Sequence, residues 1–182
     1  MSRELIYYVA ATLDGYIAHE DGSIDGFSTA GRPINDFFLS LAQFDTVVMG
    51  KHTYEFGYQY GLEPGQPAYP ETGMMNYIFS QSIPEYTHDR LQVIREDPAA
   101  FLRRLKTEDG KAIWLCGGGK LAGYLLEHAL IDRLILKLNP ILFGRGIPLF
   151  GDQVKAKTGR LSLQDTKVYQ EGLAFLNYTI CY

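Results

Sequence analysis

Residues 112–126 read Ala-Ile-Trp-Leu-Cys-Gly-Gly-Gly-Lys-Leu-Ala-Gly-Tyr-Leu-Leu. A short apolar run with β-type residues stops on three glycines, and a helical pattern begins at once. The reading is a strand, Ala112 to Cys116, that feeds a helix, Gly119 to His128, through bare backbone. Glycine lets a backbone approach a ligand closely, and the N-terminus of the following helix favours negative charge, so the junction suits a phosphate. The plain alternative is a glycine turn that serves only tight strand–helix packing.

Two flanking segments repeat the layout. Val47-Val48-Met49-Gly50-Lys51-His52-Thr53-Tyr54-Glu55 is again a strand, a glycine and a helix start. Thr53 offers a hydroxyl to a phosphate or to backbone N–H groups, and Lys51 and His52 add cationic character of the kind a 2'-phosphate requires. Phe79-Ser80-Gln81-Ser82 follows a third strand with hydroxyls suited to ribose or phosphate. The glycines fit no simple motif. Trp114 stands where a P-loop needs Gly, and Leu121 where it needs Ser or Thr. Gly117, Gly119 and Ala122 satisfy G-x-G-x-x-A, but late in the chain, and position 137 is Lys where a ribose-binding acid is expected.

Strand and helix patterns alternate along the rest of the chain. Leu5 to Ala11 reads as a central strand, Thr12 to Arg32 as a long loop, and Pro33 to Ala42 as a helix. Thr46 to Met49, Asn76 to Ser80, Leu91 to Ile94 and Ile131 to Leu138 read as strands, with a second long loop over Gly57 to Gly73. Asp97 followed by Pro98 predicts a capped helix running to about Lys106. Leu161 to Tyr169 and Leu173 to Cys181 predict a closing hairpin turned at Glu171-Gly172. The expected fold is α/β in one domain over residues 1–182: a central mixed, mostly parallel sheet with helices on both faces and a C-terminal antiparallel hairpin.

The composition sets limits. At 182 residues, 46% hydrophobic and 21% charged, the chain has the make-up of a folded globular domain. A net charge of -4 argues against nucleic acid as a partner. No apolar run approaches the roughly 18 residues of a membrane span, and the first residues lack the order of a signal peptide, so a cytoplasmic protein is expected. Cys116 and Cys181 have no metal or redox spacing and are expected as buried strand thiols; no metal is expected. His19, His88 and His128 likewise lack ligand spacing.

Taken in order, V-V-M-G-K-H-T-Y-E, Y-I-F-S-Q-S and W-L-C-G-G-G-K-L resemble the NADPH-binding blocks of dihydrofolate reductase. Asn139-Pro140-Ile141-Leu142-Phe143-Gly144-Arg145-Gly146-Ile147-Pro148-Leu149-Phe150 resembles the P-x-x-x-G-x-G-x-P-L-F segment of the RibD C-terminal reductase domain, and Ala11-Thr12-Leu13-Asp14-Gly15-Tyr16-Ile17-Ala18 the S-L-D-G-x-I-A opening of that family. The resemblance runs from Ile6 to Tyr178 and implies a dihydrofolate-reductase-like fold holding NADPH across the C-terminal edge of its sheet. Carried over residue by residue, it places Ala11 and Gly15 along the nicotinamide. Gly50, Lys51 and Thr53 fall at the adenosine end and pyrophosphate, Ser80 near the adenine ribose, and Gly117, Gly118, Gly119, Lys120 and Leu121 around the pyrophosphate. It also implies a homodimer and a small-molecule substrate. The activity expected from it is reduction of a pyrimidine- or pterin-like substrate, as by 5-amino-6-(5-phosphoribosylamino)uracil reductase of riboflavin biosynthesis. A true dihydrofolate reductase and a nucleotide-binding protein without turnover are the alternatives.

Hydride transfer calls for aligned reactants and a source of protons. Asp36, on the helix Pro33 to Ala42 beside Phe37 and Phe38, is the nearest match to the helix carboxylate of dihydrofolate reductase. An apolar pocket there would raise its pKa; alternatively it favours the helix dipole. Asp14 is a second catalytic candidate, although T-L-D-G is also a turn signal whose Asp bonds local N–H groups. Arg145 is expected to bind a substrate phosphate or to stand as a surface turn residue. Tyr54, with Tyr58 and Tyr60, is expected to line the pocket or to pack a loop. Trp114 is expected in the core.

Overall fold

The computed structural model describes residues 2–152 and 159–182. Its strands are β1 (Leu5–Thr12), β2 (Tyr16–Ala18), β3 (Phe44–Gly50), β4 (Met75–Phe79), β5 (Leu91–Ile94), β6 (Ala112–Gly117), β7 (Arg133–Asn139), β8 (Ile147–Pro148), β9 (Arg160–Val168) and β10 (Ala174–Cys181). Its helices are α1 (Arg32–Ser40), α2 (Lys51–Phe56), α3 (Pro98–Leu105) and α4 (Gly119–Glu127). Among the described residues, eight strands form one sheet in the order β5-β4-β3-β6-β1-β7-β10-β9. Neighbours from β5 through β7 pair in parallel, and β10 is antiparallel to both β7 and β9.

The central place of β1 explains its unbroken apolar sequence, because both of its faces are covered. Leu5 and Tyr7 join a core with Leu102 and Leu105 of α3 and Ala122 and Leu125 of α4. Ile6 and Tyr8 join a second core with Leu41, just after α1, Tyr54 of α2, and Trp114. Helices thus cover both faces, with α3 and α4 on one and α1 and α2 on the other. Trp114 is buried and its Nε1–H donates to the Tyr8 carbonyl at 2.9 Å, which satisfies the indole inside the core.

Several elements begin and turn where local signals predict. The Asp97 carboxylate accepts from the Ala100 N–H at 2.8 Å and starts α3 with Pro98 just inside. Gly172 holds φ +86° in the turn of the closing hairpin. The hairpin docks by its second strand: β10 lies against β7, and β9 becomes the sheet edge with every residue exposed.

Other expectations are corrected. The helix after the first loop ends at Ser40, and a 3-10 turn, Leu41–Gln43, follows it. The first loop is not wholly irregular, since β2 pairs with β8 and ties it to the glycine-rich segment. Gly146 lies at that seam, where a Cβ would meet the Ala18 carbonyl at 2.3 Å. Cys116 is half-buried and Cys181 exposed, because β10 ends at the rim of the sheet.

Candidate functional site

The parallel strands deliver Thr12, Gly50, Phe79, Gly117 and Asn139 to one edge. Topology opens a crevice there. The chain moves outward from β1 through β3 and β4 to β5, then returns to place β6 between β3 and β1. α2 leaves β3 toward one face and α4 leaves β6 toward the other, so Gly50 and Gly117 flank the gap between adjacent strands; Met49 pairs with Gly117. Such a reversal point is where open α/β sheets receive ligands.

The crevice fits a dinucleotide by several features. α2 and α4 begin at Gly50 and Gly118 with no side-chain cap, so their first N–H groups face outward unpaired by side chains. A Cβ at Gly50 would have nothing within 4 Å, which marks open space. Gly117, at φ +152°, and Gly118 are joined by a cis peptide, and a Cβ on either would lie 3.2 Å from Thr53 Oγ1. That half-buried hydroxyl has no hydrogen-bond partner among the described residues, so its donor is free for a ligand. Gly119 differs. A Cβ there would meet the Pro148 carbonyl at 2.3 Å and the Gly151 nitrogen at 3.0 Å, so backbone packing alone demands glycine. Gly119 thus follows the packing reading of the triple glycine, while Gly117 and Gly118 face Thr53 across the crevice and leave room for a ligand. Leu121 packs on the core, and exposed Lys120 lines a cavity of about 270 Å³ with Tyr124, Glu127 and Phe150.

Lys51 Nζ donates to Ser82 Oγ at 2.9 Å and lies 3.7 Å from the Glu55 carboxylate. Ser80 Oγ accepts from the N–H groups of Ser82 at 3.1 Å and Ile83 at 3.0 Å, which fixes the turn after β4. Arg95, on the neighbouring segment after β5, donates to the carbonyls of Ser80 at 3.3 Å and Ile83 at 2.7 Å. Ser82, whose hydroxyl the sequence offers beside that of Ser80, belongs to this corner, and so does Arg95, which the sequence does not mark. An Arg after a four-residue strand carries no signal of its own.

On the other side of β1, Ala11 is buried and Gly15 closes a turn, its N–H donating to the Thr12 carbonyl at 3.1 Å. Asp14 braces two loops. It accepts from the Thr12 hydroxyl at 2.6 Å, from the Gly144 N–H at 2.7 Å and from the Phe143 N–H at 3.1 Å. The Thr12 hydroxyl, then these backbone N–H groups, hold its carboxyl below the usual range.

Asp36 meets a different environment from the apolar pocket expected. Lys167 Nζ lies 2.6 Å and the Tyr169 hydroxyl 2.7 Å from Asp36 Oδ2. The Lys167 hydrogen bond first, then that of Tyr169, hold the Asp36 carboxyl below its ordinary value rather than above it. Of the flanking rings, Phe37 packs on Tyr8 and Trp114, while Phe38 is largely exposed.

Of the two roles expected for Tyr54, lining the pocket or packing a loop, the structure shows the second. Tyr54 is fully buried, and its hydroxyl donates to the Gln66 carbonyl at 2.8 Å while accepting from the Gly65 N–H at 3.0 Å. It pins the second long loop from within the core. Tyr58 packs edge-on against it and Tyr60 is exposed. Arg145 is exposed at the mouth of a cavity of about 470 Å³, whose lining also includes Glu20, Asp21 and Asp25; a phosphate there would sit beside three carboxylates. Among the described residues, no three His, Cys, Asp or Glu side chains are placed to hold a metal, and no helix is long and apolar enough to cross a membrane.

Comparison with known proteins adds to this geometry. The family model for the RibD C-terminal domain matches residues 3–175. The uncharacterized protein YwjB of Bacillus subtilis is 33% identical over 174 residues, which span 95% of this chain and 96% of YwjB. A candidate riboflavin biosynthesis protein from Shewanella sp. PV-4 superposes with a TM-score of 0.80 at 23% identity, covering 100% of both chains. A diaminohydroxyphosphoribosylaminopyrimidine deaminase/5-amino-6-(5-phosphoribosylamino)uracil reductase from Thermotoga maritima gives 0.70 at 15%, covering 99% of this chain and 57% of its own. Dihydrofolate reductase from Enterococcus faecalis, solved with NADP(H), gives 0.63 at 16%, covering 99% of each. At these identities the structural likeness establishes a shared dihydrofolate-reductase-like fold.

Proposed function

The chain belongs to the RibD C-terminal domain family, and from that premise we propose that it is an NADPH-dependent reductase of a pyrimidine- or pterin-like substrate. The observation that carries the proposal is the crevice between β3 and β6, with two uncapped helix starts, Gly117 and Gly118, and the unpartnered Thr53 hydroxyl. NADPH there supplies a hydride to an electron-poor carbon. In this reading Thr53 and the N–H groups at the starts of α2 and α4 hold the pyrophosphate. Lys51, with Ser80 and Ser82 behind it, takes the adenosine 2'-phosphate. Ala11 and Gly15 lie along the nicotinamide, and α1 with the adjoining half of the sheet forms the substrate wall.

The Thermotoga maritima neighbour is named as a reductase of 5-amino-6-(5-phosphoribosylamino)uracil, which makes an aminouracil of the riboflavin pathway the first substrate to try. The Enterococcus faecalis neighbour supports dihydrofolate as the second. One observation favours the nucleotide-binding reading without turnover: Asp14 and Asp36 are both held ionised by their partners. Single-turnover oxidation of bound NADPH by a panel of aminouracils and pterins tests the proposal. Oxidation by one panel member supports a reductase; tight NADPH binding with no oxidation favours the binding protein. A homodimer through the exposed β9 edge and a cytoplasmic location complete the proposal.

A further inference from the structure

Neither carboxylate expected to donate a proton holds one near neutral pH, but the α1-facing side of the sheet carries a group that does. Ala10, Lys137, Phe175 and Lys167 stand in register across β1, β7, β10 and β9 and therefore share one face. Phe175 packs edge-on against Tyr8 and Tyr169, which identifies that face as the one under α1. Lys137 is half-buried, and its Nζ rises to the Ser28 carbonyl at 3.1 Å. The Ser28 N–H in turn donates to Asn139 Oδ1 at 3.1 Å, and Asn139 is the last residue of β7, paired with Thr12. The ammonium therefore lies at the C-terminal edge of the sheet, beside the strand end that carries Ala11.

No carboxylate among the described residues pairs with Lys137. The charged and titratable groups on this face are Tyr8 from β1, Asp36 from α1, and Lys167 and Tyr169 from the hairpin. Asp36 is engaged by the last two. Loss of water without a compensating anion pushes the Lys137 pKa down to about 8. A donor tuned toward the working pH is what general acid catalysis needs.

We propose that Lys137 is the catalytic proton donor of the reduction, placed to protonate the nitrogen of a substrate C=N bond as its carbon receives hydride. The proposal rests on the reductase reading above. In the step, a C–H bond forms from the reduced nicotinamide's hydride, the C=N π pair moves to nitrogen, and an Nζ–H bond breaks as the new N–H forms. The substrate is reduced, the nicotinamide is oxidised, and the neutral lysine regains its proton from water.

Two measurements test this. Competitive acetylation of wild-type lysines across pH, read residue by residue by mass spectrometry, should give Lys137 a midpoint near 8, against about 10.4 for exposed lysines. A Lys137 midpoint near 10 overturns the proposal without any appeal to turnover. Single-turnover oxidation of bound NADPH by 5-amino-6-(5-phosphoribosylamino)uracil should slow as pH rises above about 8. Lys137→Gln and Lys137→Arg should both lose about 100-fold or more in that rate, with NADPH affinity unchanged, and should lose the decline at high pH. Arg keeps the charge but does not release its proton, so a wild-type rate in Lys137→Arg overturns the donor role. Wild-type turnover with an unaltered rate and pH profile in Lys137→Gln overturns this inference alone. No oxidation of NADPH by the wild type with any member of the aminouracil and pterin panel overturns the reductase reading and the inference with it.

Discussion

Thr53 Oγ1 stands 3.2 Å from the point where a Cβ on Gly118 would lie, and Gly118 itself has an extended backbone that any residue can adopt. A side chain at 118 would therefore fill the crevice without straining the main chain. Gly118→Val is expected to fold normally and to bind NADPH at least about tenfold more weakly, a change of about 1.4 kcal/mol. Gly119→Ala should do the reverse. Its methyl would press on the Pro148 carbonyl, so the thermal midpoint should fall, with a loss of about 3 kcal/mol in stability. Melting curves and a fluorescence titration on the two variants separate a ligand-facing glycine from a packing one.

Asp36 and Lys167 form an ion pair that links α1 to β9. Because the folded-state carboxyl of Asp36 is held low, its contribution to stability is present above the unfolded value of about 3.9 and is lost as pH falls through the lowered one. Asp36→Asn should flatten the acid limb of the stability curve below about pH 4. It should slow reduction less than about tenfold, since general acid catalysis contributes about 100-fold or more and this carboxylate carries no proton to give. A loss as large as that of Lys137→Gln would return the donor role to Asp36.

Asp14 joins the turn after β1 to the Phe143-Gly144 segment through its carboxylate. Asp14→Ala should speed hydrogen exchange at the Phe143 and Gly144 amides while leaving β1 protected. The same sign argument applies with pH: the brace holds at neutrality and weakens in acid as the carboxylate is protonated. Exchange rates equal to wild type at those two amides would show that the loops are held by other contacts.

Every residue of β9 is exposed, and Leu161, Leu163 and Val168 stand out along this unpaired edge. An open edge invites a second strand, and a dimer would cover it together with these three apolar side chains. Sedimentation at micromolar concentration should show a dimer for the wild type, and Leu163→Lys should shift it to monomer. A wild-type monomer would remove the edge from the account.

Much of the architecture was legible because it is written in local periodicity. The apolar run of β1, the Asp97-Pro98 helix start and the glycine turn of the closing hairpin each declare themselves within a few residues. The strand–glycine–helix junctions at Gly50 and Gly117 are equally local, and the fold brings them to the two sides of one crevice. What escaped the sequence depends on distant partners. Asp36 and Lys167 are 131 positions apart, and their contact inverts the expected pKa shift. Lys137 lies in a strand whose period marks its face but not its missing counter-ion. The β2–β8 pair involves strands of only three and two residues, too short to show any period. Tyr54 reads as loop-adjacent and amphipathic, yet the fold turns it inward and satisfies its hydroxyl there.

In the proposed function the crevice between β3 and β6 binds NADPH for hydride transfer, with Lys51 reading the 2'-phosphate. Parallel titrations of NADPH and NADH into wild type and Lys51→Ala, each followed by single-turnover oxidation with an aminouracil acceptor, test it most directly. Wild type should prefer NADPH by about tenfold or more, Lys51→Ala should bind the two cofactors alike, and the bound NADPH should be oxidised. Equal wild-type affinity for NADPH and NADH, or NADPH binding indifferent to both Lys51→Ala and Gly118→Val, would contradict it.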